Sequence, residues 1–142
     1  MARLRDIIEG RELYFVGEDS TVLEAARRMA YFGVGAILVL ESGSLRGLFS
    51  ERDLLTRVVA GGLSPDETPM TDVMSTELAV IDESSSVDEA LEMMQRNNCR
   101  HLPVMRQGAV RGMISMRDLM NFELERRSGG FHIVNLADGA RT

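Results

Sequence analysis

Tryptophan is absent from the 142 residues, and aromatic residues make up only 5% of them. A core built from this chain must be aliphatic, filled by Leu, Val, Ile and ten Met. Met is adaptable and suits irregular gaps as well as tolerant ligand pockets, plain filling being the commoner use. Cysteine occurs once, as Cys99, which excludes an internal disulfide and a cysteine-based zinc site. The two histidines, His101 and His132, are far apart, with no metal-type spacing between them. No run of about 18 apolar residues is present, so no membrane-spanning helix is expected. Positive charge is also in short supply. The formal net charge is −6, which argues against binding to nucleic acid backbones or anionic membrane surfaces. The opening stretch MARLRDIIEGRE is too charged for a signal peptide, so a soluble cytoplasmic protein is the expectation.

What is present is a duplication. At a single ungapped offset, Asp53 falls on Asp118, and Val22, Glu24, Ala25 and Met29 fall on Val87, Glu89, Ala90 and Met94. Val39 and Gly43 match Val104 and Gly108, and Arg46, Gly47, Ser50, Arg52 and Leu54 match Arg111, Gly112, Ser115, Arg117 and Leu119. Two copies are too few for a solenoid, so a pseudo-symmetric pair packed face to face is the natural arrangement.

Each copy reads as β-α-β-β-α, an α/β (α+β) pattern. ELYFV (12–16) and ELAVI (77–81) are strand-like. Thr21-x-x-Glu24 and Ser86-x-x-Glu89 have the form of capping boxes, in which hydroxyl and carboxylate each satisfy a backbone N–H. Behind them an apolar stripe at helical spacing predicts an amphipathic helix. Two strands follow, turning at Ser42-Gly43 in the first copy and Gln107-Gly108 in the second. A last helix begins at Ser50-x-x-Asp53 and at Ser115-x-x-Asp118. The expected organisation is repeat 1 over 3–60, a linker at 61–71, repeat 2 over 72–127 and a tail at 128–142, whose segment FHIVNL (131–136) could dock on the domain or on a partner.

The simplest reading of Ser-x-x-Asp is a helix cap, worth about 1 kcal/mol. Three features point further. A glycine, Gly47 or Gly112, precedes each pair inside an apolar strand, as where backbones approach closely. Asp is shorter than the usual Glu or Gln partner and leaves a carboxylate that could accept from a diol. Both pairs open a helix, where backbone N–H groups bind phosphate. A ribose on the carboxylate and a phosphate on the hydroxyl would together describe a nucleotide. Pro103 within a strand predicts an edge or a missing ladder bond. Cys99 reads as a core residue.

The duplicated unit, together with GLFSERDL (47–54), VMST (73–76), RHLPV (100–104) and GMISMRDL (112–119), resembles a tandem pair of cystathionine-β-synthase-type (CBS) domains, the Bateman module, over about residues 3–126. That resemblance implies two CBS repeats packed as one module, regulatory rather than catalytic, binding an adenine nucleotide (AMP, ADP or ATP) between the repeats. It implies ribose contacts from Asp53 and Asp118 and phosphate contacts from Ser50, Ser115, Arg100 and His101. Arg52 and Arg117 are further phosphate candidates, Arg52 being about as well explained as a solvent-facing helical residue. Ala79 and Val80 are weaker candidates for backbone contact with adenine. Gly35 and Ala36 stand where Arg100 and His101 would repeat, so the two clefts are not expected to be equal. No catalytic set is legible and no metal or obligatory cofactor is expected. The alternatives are a ligand-free dimerisation module, or another adenosyl ligand such as NAD or S-adenosylmethionine. A homodimer and an unidentified regulated protein are the expected partners.

Overall fold

A computed structural model of the chain describes residues 2–125 and 136–138. A short helix α1 (Leu4–Ile8) precedes repeat 1, which runs β1 (Phe15–Val16), α2 (Val22–Phe32), β2 (Ala36–Glu41), β3 (Ser44–Ser50) and α3 (Glu51–Asp53). A π-helical stretch, Leu54–Val59, continues α3. Another short helix, α4 (Met70–Val73), precedes repeat 2, built of β4 (Ile81–Asp82), α5 (Val87–Asn97), β5 (His101–Arg106), β6 (Ala109–Ser115) and α6 (Met116–Glu125). Each repeat holds one three-stranded mixed sheet, β1-β2-β3 and β4-β5-β6, with the first pair parallel and the second antiparallel. The first strands are short, two residues each, where ELYFV and ELAVI suggested five.

Local chemistry accounts for the elements. Ser42 and Gly43 both have positive φ (51° and 81°), as do Gln107 and Gly108 (49° and 82°), matching the two-residue hairpin turn whose twist suits the strands. Thr21 and Ser86 accept from the N–H of Glu24 and Glu89 and start α2 and α5. The reciprocal half expected of a capping box is formed at neither: Thr21 has only the bond from the Glu24 N–H, and at Ser86 the Glu89 carboxylate accepts from the Ser86 hydroxyl instead of a backbone N–H.

The π-helical stretch is a departure from the expected plain helix. The Thr56 hydroxyl donates to the Arg52 carbonyl, a back-bond that competes with the regular ladder and bends helices. Backbone N–H groups of Ala60 and Leu63 then reach five residues back, to Leu55 and Val58. Asn121 and Glu123 stand at the equivalents of Thr56 and Val58 in repeat 2, and α6 is a plain α-helix there.

The two cores are exchanged at their edges. Leu4 and Ile8 of α1 pack into the core of repeat 2, with Val87, Leu102 and Ile114. Met70 and Val73 of α4 pack into the core of repeat 1, with Val22, Ile37 and Phe49. A third cluster joins the repeats: Ala36, Leu38, Leu40 and Leu48 meet Val110 and Met113. Strand β2 is therefore buried on both faces, Ile37 and Val39 toward its own helices and its alternate residues toward repeat 2, which explains its unbroken apolar run. Of the segment 131–136, only Leu136 lies within the described residues, and it is exposed.

Pro103 does not mark an edge. β5 is the central strand of its sheet, and Pro103 pairs with Met113 just before the point where β4 begins. In repeat 1 the equivalent Leu38 donates its N–H to the Tyr14 carbonyl at 3.4 Å. Proline has no N–H, so the matching bond to the Ala79 carbonyl cannot form.

Candidate functional site: a cleft between the repeats

Both Ser-x-x-Asp sequences form complete capping boxes. The Ser115 N–H donates to Asp118 Oδ2 at 2.8 Å and the Asp118 N–H to Ser115 Oγ at 3.0 Å. In repeat 1 the same two bonds measure 3.0 and 3.2 Å between Ser50 and Asp53. Each helix start is pinned to the residue that leads into the central strand of its sheet, since the Met116 N–H donates to the Arg100 carbonyl and the Glu51 N–H to the Gly35 carbonyl.

Beyond the cap the two sites differ. Asp118 lines a cavity of about 880 Å³ whose walls come from both repeats. Ser115, Arg117, Arg100 and His101 line it as well, with Arg111 and Met113 of β6. Repeat 1 contributes Arg11, Glu12, Leu13, Tyr14, Gly35 and Glu51 among others. Of the ten residues singled out in the sequence, five therefore share one cavity. Ser50, Arg52, Asp53, Ala79 and Val80 do not line it. Arg52 and Val80 are exposed, and Ala79 packs against the core of repeat 2.

Asp53 is enclosed instead. Its side chain is 10% exposed, against 23% for Asp118. Ser75 bridges to it, hydroxyl to Oδ1 at 3.1 Å, and Arg57 on the same helix approaches Oδ1 at 3.6 Å. The segment carrying Ser75 runs along β3, with reciprocal backbone bonds between Leu48 and Ser75 of 2.8 and 3.0 Å. The approach is close enough that a Cβ on Gly47 would lie 2.7 Å from Met74 Sδ and 2.9 Å from the Ser75 carbonyl. The Gly47 reading as a close backbone approach thus has a physical cause, and what approaches is the chain itself. At Gly112 the nearest atoms a Cβ would meet belong to Ile8, at 3.4 Å and beyond.

Electrostatics set the character of the open cleft. Four arginines, Arg11, Arg100, Arg111 and Arg117, line it beside three carboxylates, Glu12, Glu51 and Asp118. The lining is thus cationic by one charge on a chain whose net charge is −6. Arg11 pairs with Asp118 at 3.2 Å, Nη1 to Oδ2. Arg111 approaches Glu83 at 3.9 Å, a contact repeated at 3.2 Å by Arg46 and Glu18 in the other repeat. Burial pushes the His101 imidazole below its ordinary pKa, opposed by the charges of Glu51 and Asp118 and reinforced by Arg100. Burial likewise raises the Cys99 thiol, which makes it a packed residue rather than an activated nucleophile. Among the described residues no group of three or more His, Cys, Asp or Glu is placed to hold a metal ion, and no helix is long and apolar enough to cross a membrane.

Arg11, Glu12 and Tyr14 were not among the residues predicted from sequence. The signal for Arg11 was nevertheless present, because its equivalent in repeat 2 is the uncharged Thr76.

The family model for the CBS domain matches residues 4–60 and 70–125, and the chain belongs to the CBS-domain family, with two such domains in tandem. It is 34% identical over 122 residues to the CBS domain-containing protein YhcV of Bacillus subtilis, covering 86% of each. Other curated relatives are longer, and the chain spans between 15% and 59% of the length of several of them. Among solved structures it is similar to a protein with CBS domains from Burkholderia ambifaria (TM-score 0.86, 29% identity, covering 92% of this chain and 100% of that one). It is also similar to the CBS domain protein PAE2072 of Pyrobaculum aerophilum, which was solved in complex with AMP (TM-score 0.75, 27% identity, 89% and 100% covered).

Proposed function

We propose that the chain is a regulatory, non-catalytic module that binds one adenine nucleotide, AMP, ADP or ATP, in the cleft lined by Asp118. The observation that carries this is the convergence of Ser115, Asp118, Arg100, His101 and Arg117 on one cavity while the equivalent Asp53 is filled by Ser75 and Arg57. The AMP complex of the relative PAE2072 supports the ligand class. Asp118 accepts the ribose hydroxyls, the start of α6 and the Ser115 hydroxyl meet the first phosphate, and the arginines take the remaining charge. The cationic lining favours nucleotides over S-adenosylmethionine, whose sulfonium is repelled.

Binding is read out through assembly. Leu55 and Val59 of the π-helical stretch are exposed, and so are Met120 and Leu124 of α6, the equivalent positions in repeat 2. Paired apolar strips of this kind suit a homodimer, from which a regulated protein can sense the ligand. Light scattering at dilute and concentrated protein checks this, a strict monomer throughout opposing it.

The test of the ligand is a thermal-shift screen. A nucleotide at 100 times its dissociation constant adds about 2.7 kcal/mol, roughly 5–10 °C for a chain of this size, with guanine nucleotides giving less. The competing reading, an empty dimerisation module, draws on the completeness of both capping boxes without a ligand. No shift with any adenosine compound at millimolar concentration would favour it.

A further inference from the structure

Arg11 has a place in the cleft that the duplication does not repeat. It follows α1, which packs on repeat 2, and precedes β1, which belongs to the sheet of repeat 1. Gly10 turns the chain with φ +80°, and the Arg11 N–H donates to the Ile8 carbonyl at 3.1 Å, so the backbone is held. The side chain is not enclosed: it is 45% exposed, and it meets Asp118 at 3.2 Å. The carboxylate oxygen it meets, Oδ2, already accepts the Ser115 N–H at 2.8 Å. One carboxylate oxygen has two lone-pair sites: the Ser115 N–H fills one, and the guanidinium stands beside the other as an ion pair. Among the described residues Oδ1 accepts no hydrogen bond.

A cis-diol gripped by a carboxylate needs an acceptor site on each oxygen. At Asp118 a hydroxyl approaching Oδ2 meets the guanidinium 3.2 Å from that oxygen and must move it aside. We infer that Arg11 is a latch on Asp118 which, once displaced by a ribose, turns to the ligand's phosphate, and that this second contact makes the cleft discriminate for phosphorylated adenosyl ligands. This rests on the adenine-nucleotide reading of the cleft. An unphosphorylated nucleoside displaces the guanidinium and offers nothing in return. A nucleotide displaces it and supplies a phosphate for it to bind, in a cavity that Arg100 and Arg117 also line. The exchange is a side-chain swing, since the stem is long and half exposed. Repeat 1 has no such device: the cation beside Asp53 is Arg57, one turn along the same helix, and Thr76 stands at the Arg11 equivalent.

The two consequences separate on different ligands. Loss of the latch helps every ribose ligand equally, whereas loss of the phosphate contact hurts only the phosphorylated one. Calorimetry with adenosine and AMP on the full chain, as wild type, Arg11→Met and Arg11→Lys, reads both. Exposed ion pairs of this kind contribute little, so Arg11→Met is expected to bind adenosine up to about fivefold more tightly. The ratio of AMP to adenosine affinity, from which the latch cancels, should fall at least about tenfold. Arg11→Lys should keep most of that ratio, which ties the effect to charge. A parallel fall for both ligands would make Arg11 an ordinary supporting contact and overturn the inference, as would no change in either. If wild type binds AMP and Asp118→Asn does not, the cleft reading stands whatever Arg11 does. If wild type binds neither ligand, both proposals fall.

Discussion

Asp53 and Asp118 begin from the same eight-residue pattern and the same capping geometry, and they end in different surroundings. Around Asp53 the segment after α4 lies down on β3, the Ser75 hydroxyl occupies Oδ1, and Arg57 closes the remaining side. Around Asp118 the segment after α1 turns away at Gly10, the equivalent of Ser75, and leaves a cavity rimmed by arginine. A duplicated motif therefore fixes the start of a helix in both copies, while the segment from before each repeat decides whether the carboxylate faces protein or an open cleft. The capping reading and the ligand reading of Ser-x-x-Asp were posed as rivals. At Asp53 the cap, with Ser75 and Arg57, accounts for the contacts, and at Asp118 the cap is present with the cleft left over.

The sharpest way to break this comparison is to disturb the closing segment. Gly47→Ala places a methyl against Met74 and the Ser75 carbonyl and is expected to cost about 2 kcal/mol, in the range of overpacked cores. Gly112→Ala meets the Ile8 side chain at ordinary contact distances of 3.4–3.7 Å and should cost less than about 1 kcal/mol. Urea unfolding of both variants checks it, and equal costs would mean that the two strands are equally approached.

A smaller effect is expected at Ser75. Ser75→Ala removes the hydroxyl that donates to Asp53 and should cost about 1 kcal/mol, with AMP affinity unchanged. Denaturation and calorimetry on the same variant read the two parts separately. A change in affinity would link the closed site to the open one.

The smallest effect concerns His101, whose equivalent in repeat 1 is Ala36. Its native pKa lies below the ordinary 6.5 because the ring is partly buried. Between that native value and 6.5 the unfolded chain binds more protons than the folded one, so stability is fully present above about pH 6.5 and falls as the pH drops through the native pKa. His101→Gln should flatten this slope in melting temperature, and an unchanged slope would assign it to other groups. A bound phosphate would reverse the bias and draw a proton onto the ring, seen as a buffer-dependent heat of binding near pH 6.

Much of this was legible in the sequence, and the limits have physical causes. The ungapped duplication carried the element order, the hairpin turns and the capped helices, because these depend on residues close together in the chain. The match of GLFSERDL to GMISMRDL carried the family. What was not legible depends on contacts made across the duplication. The packing of α1 on repeat 2 and α4 on repeat 1 is set by which core each apolar helix reaches, and no local pattern records that. Pro103 reads as an edge residue or a missing ladder bond, and it is the second: it lies in a central strand whose neighbour β4 starts one residue later. The π-helical stretch goes with a Thr56 back-bond that a hydrophobic pattern does not register. For the site, similarity between the copies drew attention to Ser50, Arg52, Asp53 and their equivalents, and the family resemblance to Ala79, Val80, Arg100 and His101, while further positions that distinguish the clefts are dissimilar ones: Gly10 against Ser75, Arg11 against Thr76, Phe122 against Arg57.

The central claim is that one copy of Ser-x-x-Asp holds a ligand and the other holds the fold. Calorimetric titration of AMP into wild type, Asp53→Asn and Asp118→Asn, each with its denaturation curve, tests it most directly. The account predicts one site per chain and an affinity at least about tenfold weaker in Asp118→Asn, whose unliganded stability moves by less than about 1 kcal/mol. Asp53→Asn should lose about 1–3 kcal/mol of stability from its buried hydrogen bonds and keep its affinity within about twofold. Two sites per chain, or an equal loss of affinity in both variants, would contradict it.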